Sequence, residues 1–225
     1  MTVAEISFAA VDFESAGIRR GSTEVPVQIG IALMRGLEIS ESFSSFLFTD
    51  QPITWAARKV HGICAKDLAG SPRLPDLWPE VHRLLQNRWL VAHGSATERR
   101  FLRAFPFHGF GPWVDTLKIS RAVWPEKKSF ALGDLVLDLG LEQDLRRALP
   151  GFRWHDALSD ATASLILLRR AIADANVGAA KAAILLRPDA SRYNRLKAEG
   201  LHPRSRSRPR AHRALRKEDS PVSDT

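Results

Sequence analysis

The segment FAAVDFES, residues 8–15, decides the fold and is the starting point for the function. It is an apolar run that ends in two acidic residues, Asp12 and Glu14. Side chains at positions i and i+2 of a strand point to the same face, so the two carboxylates converge while Phe13 points away. Adjacent carboxylates repel each other unless a cation lies between them or one is protonated. The segment therefore fits a metal site at a strand end, or a solvated turn.

The flanking sequence predicts the rest of the sheet. Three consecutive runs suit strands with short connections, which indicates an antiparallel meander: residues 6–12, 26–34 and 38–48. Strands then alternate with helices, the strands over 89–92 and 111–115 and the helices over 74–87, 97–105, 116–123 and 156–175, with Ser129 as the N-cap of a further helix. Strands followed by alternating strands and helices indicate an α/β sheet of mixed direction.

Length and charge predict one domain and a tail. The chain has 225 residues, 44% of them hydrophobic, and a net charge of +8. Most of the basic surplus follows residue 180, so net charge alone does not identify a nucleic-acid enzyme. We expect a folded domain over residues 1–180, a helical extension over 181–200 and a disordered basic tail over 201–225. The arginines of the tail suit either contacts to a nucleic-acid backbone or a solubilising role.

Several classes of protein are disfavoured by composition. No run of eighteen apolar residues predicts a membrane span, and the N-terminus lacks the basic region of a secretory signal. Cys64 is the single cysteine, which excludes an intrachain disulfide and a cysteine-cluster zinc site. We expect a cytoplasmic protein without a membrane contact.

Two further segments carry residues suited to chemistry. WLVAHGSATERRFL, residues 89–102, places Glu98 in the first turn of a helix, where it is either a ligand or a carboxylate favoured by the helix dipole. WHDALSDATASLILLRR, residues 154–170, places His155 before a long helix and Asp160 one turn into it. The pair suits either a shared site or an exposed histidine beside an ordinary surface aspartate.

Taken together, the segments resemble the DEDDh exonucleases, the DnaQ-like family that includes the proofreading subunit of the bacterial replicative polymerase. VDFES resembles the first motif, VAHGSATERRFL the second and WHDALSDA the third, while VHGI at 60–63 and WVDTL at 113–117 are also similar to the family's sequences. The similarity runs from Phe8 to Arg170. Glu98 stands where the family has aspartate and Gly94 where it has asparagine, so the geometry of the second motif departs from the pattern.

The resemblance implies an RNase H-like α/β fold, with a mixed five-stranded sheet whose first three strands are antiparallel, flanked by helices. It also implies a metal-dependent 3′→5′ exonuclease, acting on DNA, that uses two Mg²⁺ or Mn²⁺ ions. The residues that match the motifs are the expected ligands, Asp12, Glu14, Glu98 and Asp160. His155 is the expected general base, since an imidazole exchanges protons near neutral pH.

A pocket for the terminal nucleotide is also implied. Ser15, Ala16 and Gly17 would present backbone groups to the 3′ end, and Val60, His61 and His93 would border the base and sugar; a turn and packed histidines are the alternatives. The expected partners are single-stranded DNA or other nucleic-acid 3′ ends, and a polymerase subunit. Two other functions remain open, a weakly active or inactive nucleic-acid-binding or polymerase-associated module, and a 3′→5′ exoribonuclease.

Overall fold

The computed structural model describes residues 1–201 of the chain. Apart from its first residue, the predicted basic tail lies outside the described residues. No helix in the described part of the chain is long and apolar enough to cross a membrane.

The core of the protein is a five-stranded sheet in the order β3-β2-β1-β4-β5. Its strands are β1 (Ser7–Ser15), β2 (Pro26–Arg35), β3 (Glu38–Phe46), β4 (Trp89–Ala92) and β5 (Trp113–Asp115). The first three strands pair antiparallel, whereas β4 runs parallel to β1 and β5 runs parallel to β4. The predicted mixed sheet, with its antiparallel first three strands, is confirmed.

Eight α-helices occur in the described residues. They are α1 (Trp55–His61), α2 (Trp78–Leu85), α3 (Ala96–Phe101), α4 (Thr116–Val123), α5 (Leu132–Asp138), α6 (Glu142–Ala148), α7 (Ala157–Asp174) and α8 (Ala190–Leu201). Short 3₁₀ turns lie at Val3–Glu5, Ala65–Leu68, Leu74–Leu77, Leu102–Ala104 and Ala182–Leu185. The long helix predicted over 156–175 is thus present, with Asp156 and Ala175 as its caps.

Alternating residues of β1 pack against two different layers. Phe8 and Ala10 belong to the core that contains α7, while Val11 and Phe13 belong to the core on the opposite face. Asp12 and Glu14 continue the series of Phe8 and Ala10, because side chains alternate along a strand. The alternation therefore directs both carboxylates to the face that α7 covers.

Two predictions about helices were wrong in detail. Ser129 does not cap a helix: α5 begins at Leu132 with Ala131 as its N-cap. The Ser129 hydroxyl instead donates to Asp134 Oδ2 at 2.5 Å and accepts from the Ala131 amide at 3.3 Å, which closes a turn before the helix. The helix predicted over 74–87 is a 3₁₀ turn followed by α2, which starts at Trp78 with a proline in its first turn.

The segment after residue 180 packs against the main core. Ile184, Leu185 and Tyr193 are buried in the same cluster as α7. The Tyr193 hydroxyl donates to the Ile184 carbonyl at 3.1 Å, which satisfies its one buried polar group.

Candidate active site

The N-terminal end of α7 crosses the sheet directly over β2. Gly30 permits this approach, because a Cβ added there would lie 2.1 Å from the Leu158 backbone nitrogen and 2.2 Å from the Ala157 carbonyl carbon. Gly30 pairs with Asp12 across the β1–β2 ladder. Because glycine has no side chain, the start of α7 can lie next to the strand position that carries Asp12.

A side-chain clamp fixes the same contact. Gln28 on β2 is buried, and its Nε2 donates to Asp156 Oδ2 at 2.8 Å while its Oε1 accepts from the Ala157 amide at 3.1 Å. Asp156 Oδ1 accepts from the Ser159 amide at 3.1 Å, so Asp156 also caps α7. One amide side chain thus ties the helix start to the sheet and sets the position of the segment around His155.

Three of the residues predicted to form the site meet at this point. One ligand atom each from Glu14, His155 and Asp160 lies within 4.8 Å of the other two. Asp160 is on the first turn of α7, and His155 stands just before the helix with a left-handed backbone, φ 59°. The imidazole is exposed to solvent, where it can reach a water molecule or a ligand.

The other two acidic residues face the same region. Burial raises the pKa of Asp12 well above its ordinary value, and the charges of Asp160, Glu98 and Glu14 raise it further. Burial likewise raises the pKa of Glu14, of Glu98 and of Asp160 to about 7 in each case. The ionised forms of these side chains repel one another. Keeping all four carboxylates ionised therefore raises the free energy of the folded state unless positive charge is present.

The donor set fits a hard divalent cation. Glu98 Oε2 and Asp160 Oδ1 are buried, and neither accepts a hydrogen bond within the described residues. Buried carboxylate oxygens normally have partners, and a cation would supply one. Oxygen ligands of this type suit Mg²⁺ or Mn²⁺. Asp12 and Glu98 lie outside the 4.8 Å group, so the structure brings Glu14, His155 and Asp160 closest together.

Glu98 is placed by a turn that explains Gly94. Gly94 has φ +86°, a left-handed conformation that glycine and asparagine adopt more readily than other residues. The Gly94 and Ser95 amides donate to the Asp115 carboxylate at 3.2 and 3.4 Å, which holds the turn against β5. Glycine at this position therefore meets the backbone requirement of the turn without strain.

The Ser15–Gly17 turn is mostly bonded within the protein. The Ala16 amide donates to the Val25 carbonyl at 2.9 Å, and the Gly17 amide to Ser15 Oγ at 3.3 Å. Ser15 Oγ donates to Glu24 at 2.6 Å, and Glu24 also binds Arg100 of α3. Burial opposes ionisation of Glu24, but the bonds from Ser15 and Arg100 outweigh it and hold its pKa below the ordinary value. This network links the turn to the helix that carries Glu98.

His61 is a packed histidine at the end of α1. Its Nδ1 accepts from the Ile63 amide at 3.0 Å, so the proton is on Nε2, which donates to the Ser15 carbonyl at 3.0 Å. Burial lowers its pKa, and the charge of His155 adds to the effect. Its neighbour Val60 is 54% exposed and remains open to a ligand.

His93 is also fully engaged. Its Nε2 donates to the Phe130 carbonyl at 2.8 Å, and its Nδ1 lies 3.0 Å from Thr116 Oγ1. Burial lowers its pKa, which favours the neutral ring. His93 therefore joins the end of β4 to α4 and to the segment before α5.

Sequence reasoning missed Gln28, Gly30 and Asp156. Two of them left a signal, since a glutamine and a glycine interrupt an otherwise apolar strand in PVQIGIALM. A glycine inside a strand marks a bulge or a close backbone approach. The pattern does not say which element approaches, and only the tertiary structure identifies α7.

Comparison with known proteins identifies relatives of this chain. The family model described as "Exonuclease", of the RNase T type, matches residues 9–168. Exodeoxyribonuclease 10 of Escherichia coli K12 is 28% identical over 159 residues, which are 70% of this chain and 66% of that protein. The PolC-type DNA polymerase III of Thermotoga maritima is 26% identical over 165 residues, 71% of this chain but 11% of the polymerase. The chain thus spans about a tenth of the length of that relative.

A solved structure agrees with these relatives. Exonuclease X in complex with 5′ overhanging duplex DNA superposes with a TM-score of 0.62 at 25% identity, covering 80% of this chain and 99% of that one. With the family model spanning most of its length, the chain belongs to the exonuclease family, among the DnaQ-like members that its motifs resemble.

Proposed function

We propose that this protein removes nucleotides from the 3′ end of DNA by metal-dependent hydrolysis of the phosphodiester bond. The observation that carries the proposal is the convergence of Glu14, His155 and Asp160 within 4.8 Å, beside the buried, unpartnered carboxylate oxygens of Glu98 and Asp160. A cluster of acidic groups beside an exposed imidazole suits hydrolysis, which needs cations and a proton acceptor.

Each residue has a distinct task in this proposal. Asp12, Glu14 and Asp160 would hold a more tightly bound Mg²⁺ or Mn²⁺ ion, and Asp12 and Glu98 a second one. Bound divalent cations would stabilise negative charge on the phosphate and on the leaving oxygen. His155 would take the proton of the attacking water, since its ring is exposed beside Glu14 and Asp160. Its left-handed backbone, tied down by the capped start of α7, would keep the ring at the edge of the cluster.

The terminal nucleotide would lie against the turn after β1. Ser15, Ala16 and Gly17 form that turn, Val60 is exposed on α1 nearby, and His61 and His93 hold the walls in place through their hydrogen bonds. With both ring nitrogens engaged, each histidine would act on the substrate through the shape of the pocket.

A 5′-labelled single-stranded DNA oligonucleotide provides the test, with an RNA version alongside. Purified protein and the Asp12→Ala variant are compared in Mg²⁺, Mn²⁺ or EDTA. We expect a metal-dependent ladder that shortens from the 3′ end and is missing for the variant. No ladder with any metal, from protein shown to be folded, would favour a binding module instead. Faster shortening of the RNA would make the protein an exoribonuclease.

A further inference from the structure

Helix α1 is fastened to the turn that follows the acidic strand. At its start, the Thr54 amide donates to the Ala16 carbonyl at 2.8 Å, and at its end His61 Nε2 donates to the Ser15 carbonyl at 3.0 Å. Gly17 lies against the same helix, since a Cβ there would be 2.3 Å from Thr54 Oγ1. Both ends of α1 are therefore held against the turn that follows Glu14, and the opposite side of the helix is its outward face.

That outward face carries an exposed aromatic ring. Trp55 is 76% exposed, the most exposed of the six tryptophans. Lys59, one turn later, places its ammonium 5.2 Å from the centroid of the indole ring, and most of Trp55 remains accessible to solvent. Residues advance by about 100° per position around a helix, which puts Trp55, Arg58 and Lys59 on one side. An exposed indole ring beside cationic side chains offers a surface on which a base can stack.

A basic cleft adjoins the same helix. Arg58 of α1, Lys66 of the following 3₁₀ turn and Arg153 line a cleft of about 370 Å³ whose wall includes His61. Asp67 is the acidic residue of the lining, and it already accepts from the Cys64 amide at 2.8 Å. The Arg153 guanidinium forms an ion pair with Asp156, with 3.8 Å between Nη2 and Oδ2. Among the side chains that the structure describes, Arg58, Lys59 and Lys66 form no ion pair.

The cleft lies next to the candidate active site, because His61 in its wall donates to the carbonyl of Ser15, the residue after Glu14. Arg153 precedes His155 by two residues, and His61 in the cleft wall is close enough to His155 to be affected by its charge. The positive charge therefore lies beside the imidazole and not on a remote surface. A surface with an exposed aromatic ring beside a basic cleft suits a single nucleic-acid strand, because cations bind its phosphates and the ring stacks on a base.

We propose that α1 and this cleft bind the substrate strand on the 5′ side of its terminal nucleotide. Trp55 stacks on an unpaired base, and Arg58, Lys66 and Arg153 hold phosphates. The terminal nucleotide is the last of the strand, so any contact outside its pocket falls on nucleotides upstream of it. Bases inside a duplex have no free face, so a stacking residue selects unpaired 3′ ends. The inference rests on the proposed function and adds to it the residues that bind the strand upstream of the terminal nucleotide.

Binding to a fluorescein-labelled single-stranded oligonucleotide in EDTA tests the surface without turnover. The Trp55→Ala variant should bind about tenfold more weakly, since stacking on an aromatic side chain contributes on that scale or more, while Trp55→Phe retains most of the affinity. Replacing Arg58 and Lys66 with alanine should flatten the dependence of affinity on salt. The matched controls are Phe107→Ala, an exposed aromatic residue in the loop before β5, and Arg35→Ala, at the far end of the sheet. Both should bind as the unaltered protein does.

A small ester separates this inference from the function on which it rests. The p-nitrophenyl ester of thymidine 5′-monophosphate has no upstream strand, so Trp55→Ala should lower the ratio of oligonucleotide to ester turnover by about tenfold. It should also weaken binding of single strands more than of blunt duplexes. If both substrates are hydrolysed, and Trp55→Ala changes neither the ratio of their turnover nor the preference for single strands over duplexes, the proposed strand-binding surface is wrong and the exonuclease proposal stands. If neither substrate is hydrolysed, both proposals fall.

Discussion

Gly30 of β2 and Leu158 of α7 touch through their backbones: a Cβ on Gly30 would lie 2.1 Å from the Leu158 nitrogen. A contact this close cannot be relieved by turning a flexible side chain, because the opposing atoms belong to the helix backbone. It places the first turn of α7, which carries Asp160, over the strand that pairs with Asp12. The candidate active site is thus assembled where β2 carries a glycine, which has no side chain.

Gly30→Ala should therefore damage both stability and activity. The added methyl group would push α7 away from β2, and overpacking of a close contact costs about 1 to 3 kcal/mol or more in the free energy of unfolding. We expect a lower melting temperature and a loss of turnover greater than the unfolded fraction explains. Gly178→Ala is the matched control, since its Cβ would meet its nearest neighbour at 4.0 Å. Equal behaviour of the two variants would contradict this account of the helix approach.

Gln28 offers a second, electrostatic test of the same contact. Gln28→Ala leaves the Ala157 amide without its side-chain acceptor, which should cost about 1 to 3 kcal/mol of unfolding free energy. Gln28→Glu keeps that acceptor but faces the Asp156 carboxylate, so it should be less harmful at pH 5 than at pH 8. Thermal unfolding at the two pH values measures both effects. Ser44→Ala is the control, because the Ser44 hydroxyl lies 3.5 Å from Gln28 Nε2, so the hydrogen bond that it removes is long and weak.

Glu98→Gln should separate stability from function. The buried Glu98 carboxylate has an unpartnered oxygen, so neutralising it should raise the unfolding free energy in EDTA at pH 8 by about 1 to 3 kcal/mol. The same change should remove most turnover, because an amide is a weaker ligand for a hard cation than a carboxylate. Glu126→Gln, an exposed residue, should change neither property. A variant that is both stable and fully active would show that Glu98 holds no ion.

Metal ions should stabilise the protein more at high pH than at low pH. The folded-state pKa values of Glu14, Glu98 and Asp160, about 7, lie above the unfolded values of about 4. A raised folded pKa contributes stability that is present below about pH 4 and is lost as the pH rises through about 7. Without metal, these groups should make the protein less stable at pH 8 than at pH 5.5.

Bound Mn²⁺ requires ionised carboxylates, so the increase in melting temperature on replacing EDTA with Mn²⁺ should be larger at pH 8. Asp160→Asn should reduce that increase. An increase of the same size at both pH values, or one unaffected by the substitution, would argue against these residues as the ligands.

His155 should matter for turnover and not for metal binding. His155→Asn suits the left-handed backbone, φ 59°, but cannot act as a base near neutral pH. We expect kcat to fall by about 10²- to 10⁴-fold, the usual contribution of a general base, with the stabilisation by Mn²⁺ retained. His155→Ala should give the same result with an added loss of stability. Unchanged turnover would rule out the base, whereas loss of the Mn²⁺ effect would make His155 a ligand.

The sequence by itself predicted the candidate site residues and determined the order of the elements. The alternation in FAAVDFES puts Asp12 and Glu14 on one face, and the helical spacing after His155 puts Asp160 on the first turn of α7, because strand and helix periods follow from local backbone geometry. The sequence also predicted the three antiparallel strands, from their length and short connections.

The tertiary structure decided how those pieces meet. Gly30 and Gln28 are at least 127 residues away in sequence from their contacts at the start of α7, and no local pattern specifies which backbone will occupy the space above a glycine. The burial that raises the pKa values of the carboxylates has the same origin, since desolvation depends on atoms brought together from distant segments. The tertiary structure likewise decided which histidines are packed. His61 and His93 donate hydrogen bonds to backbone carbonyls of other segments, whereas His155 is exposed, and the sequence alone does not distinguish these environments.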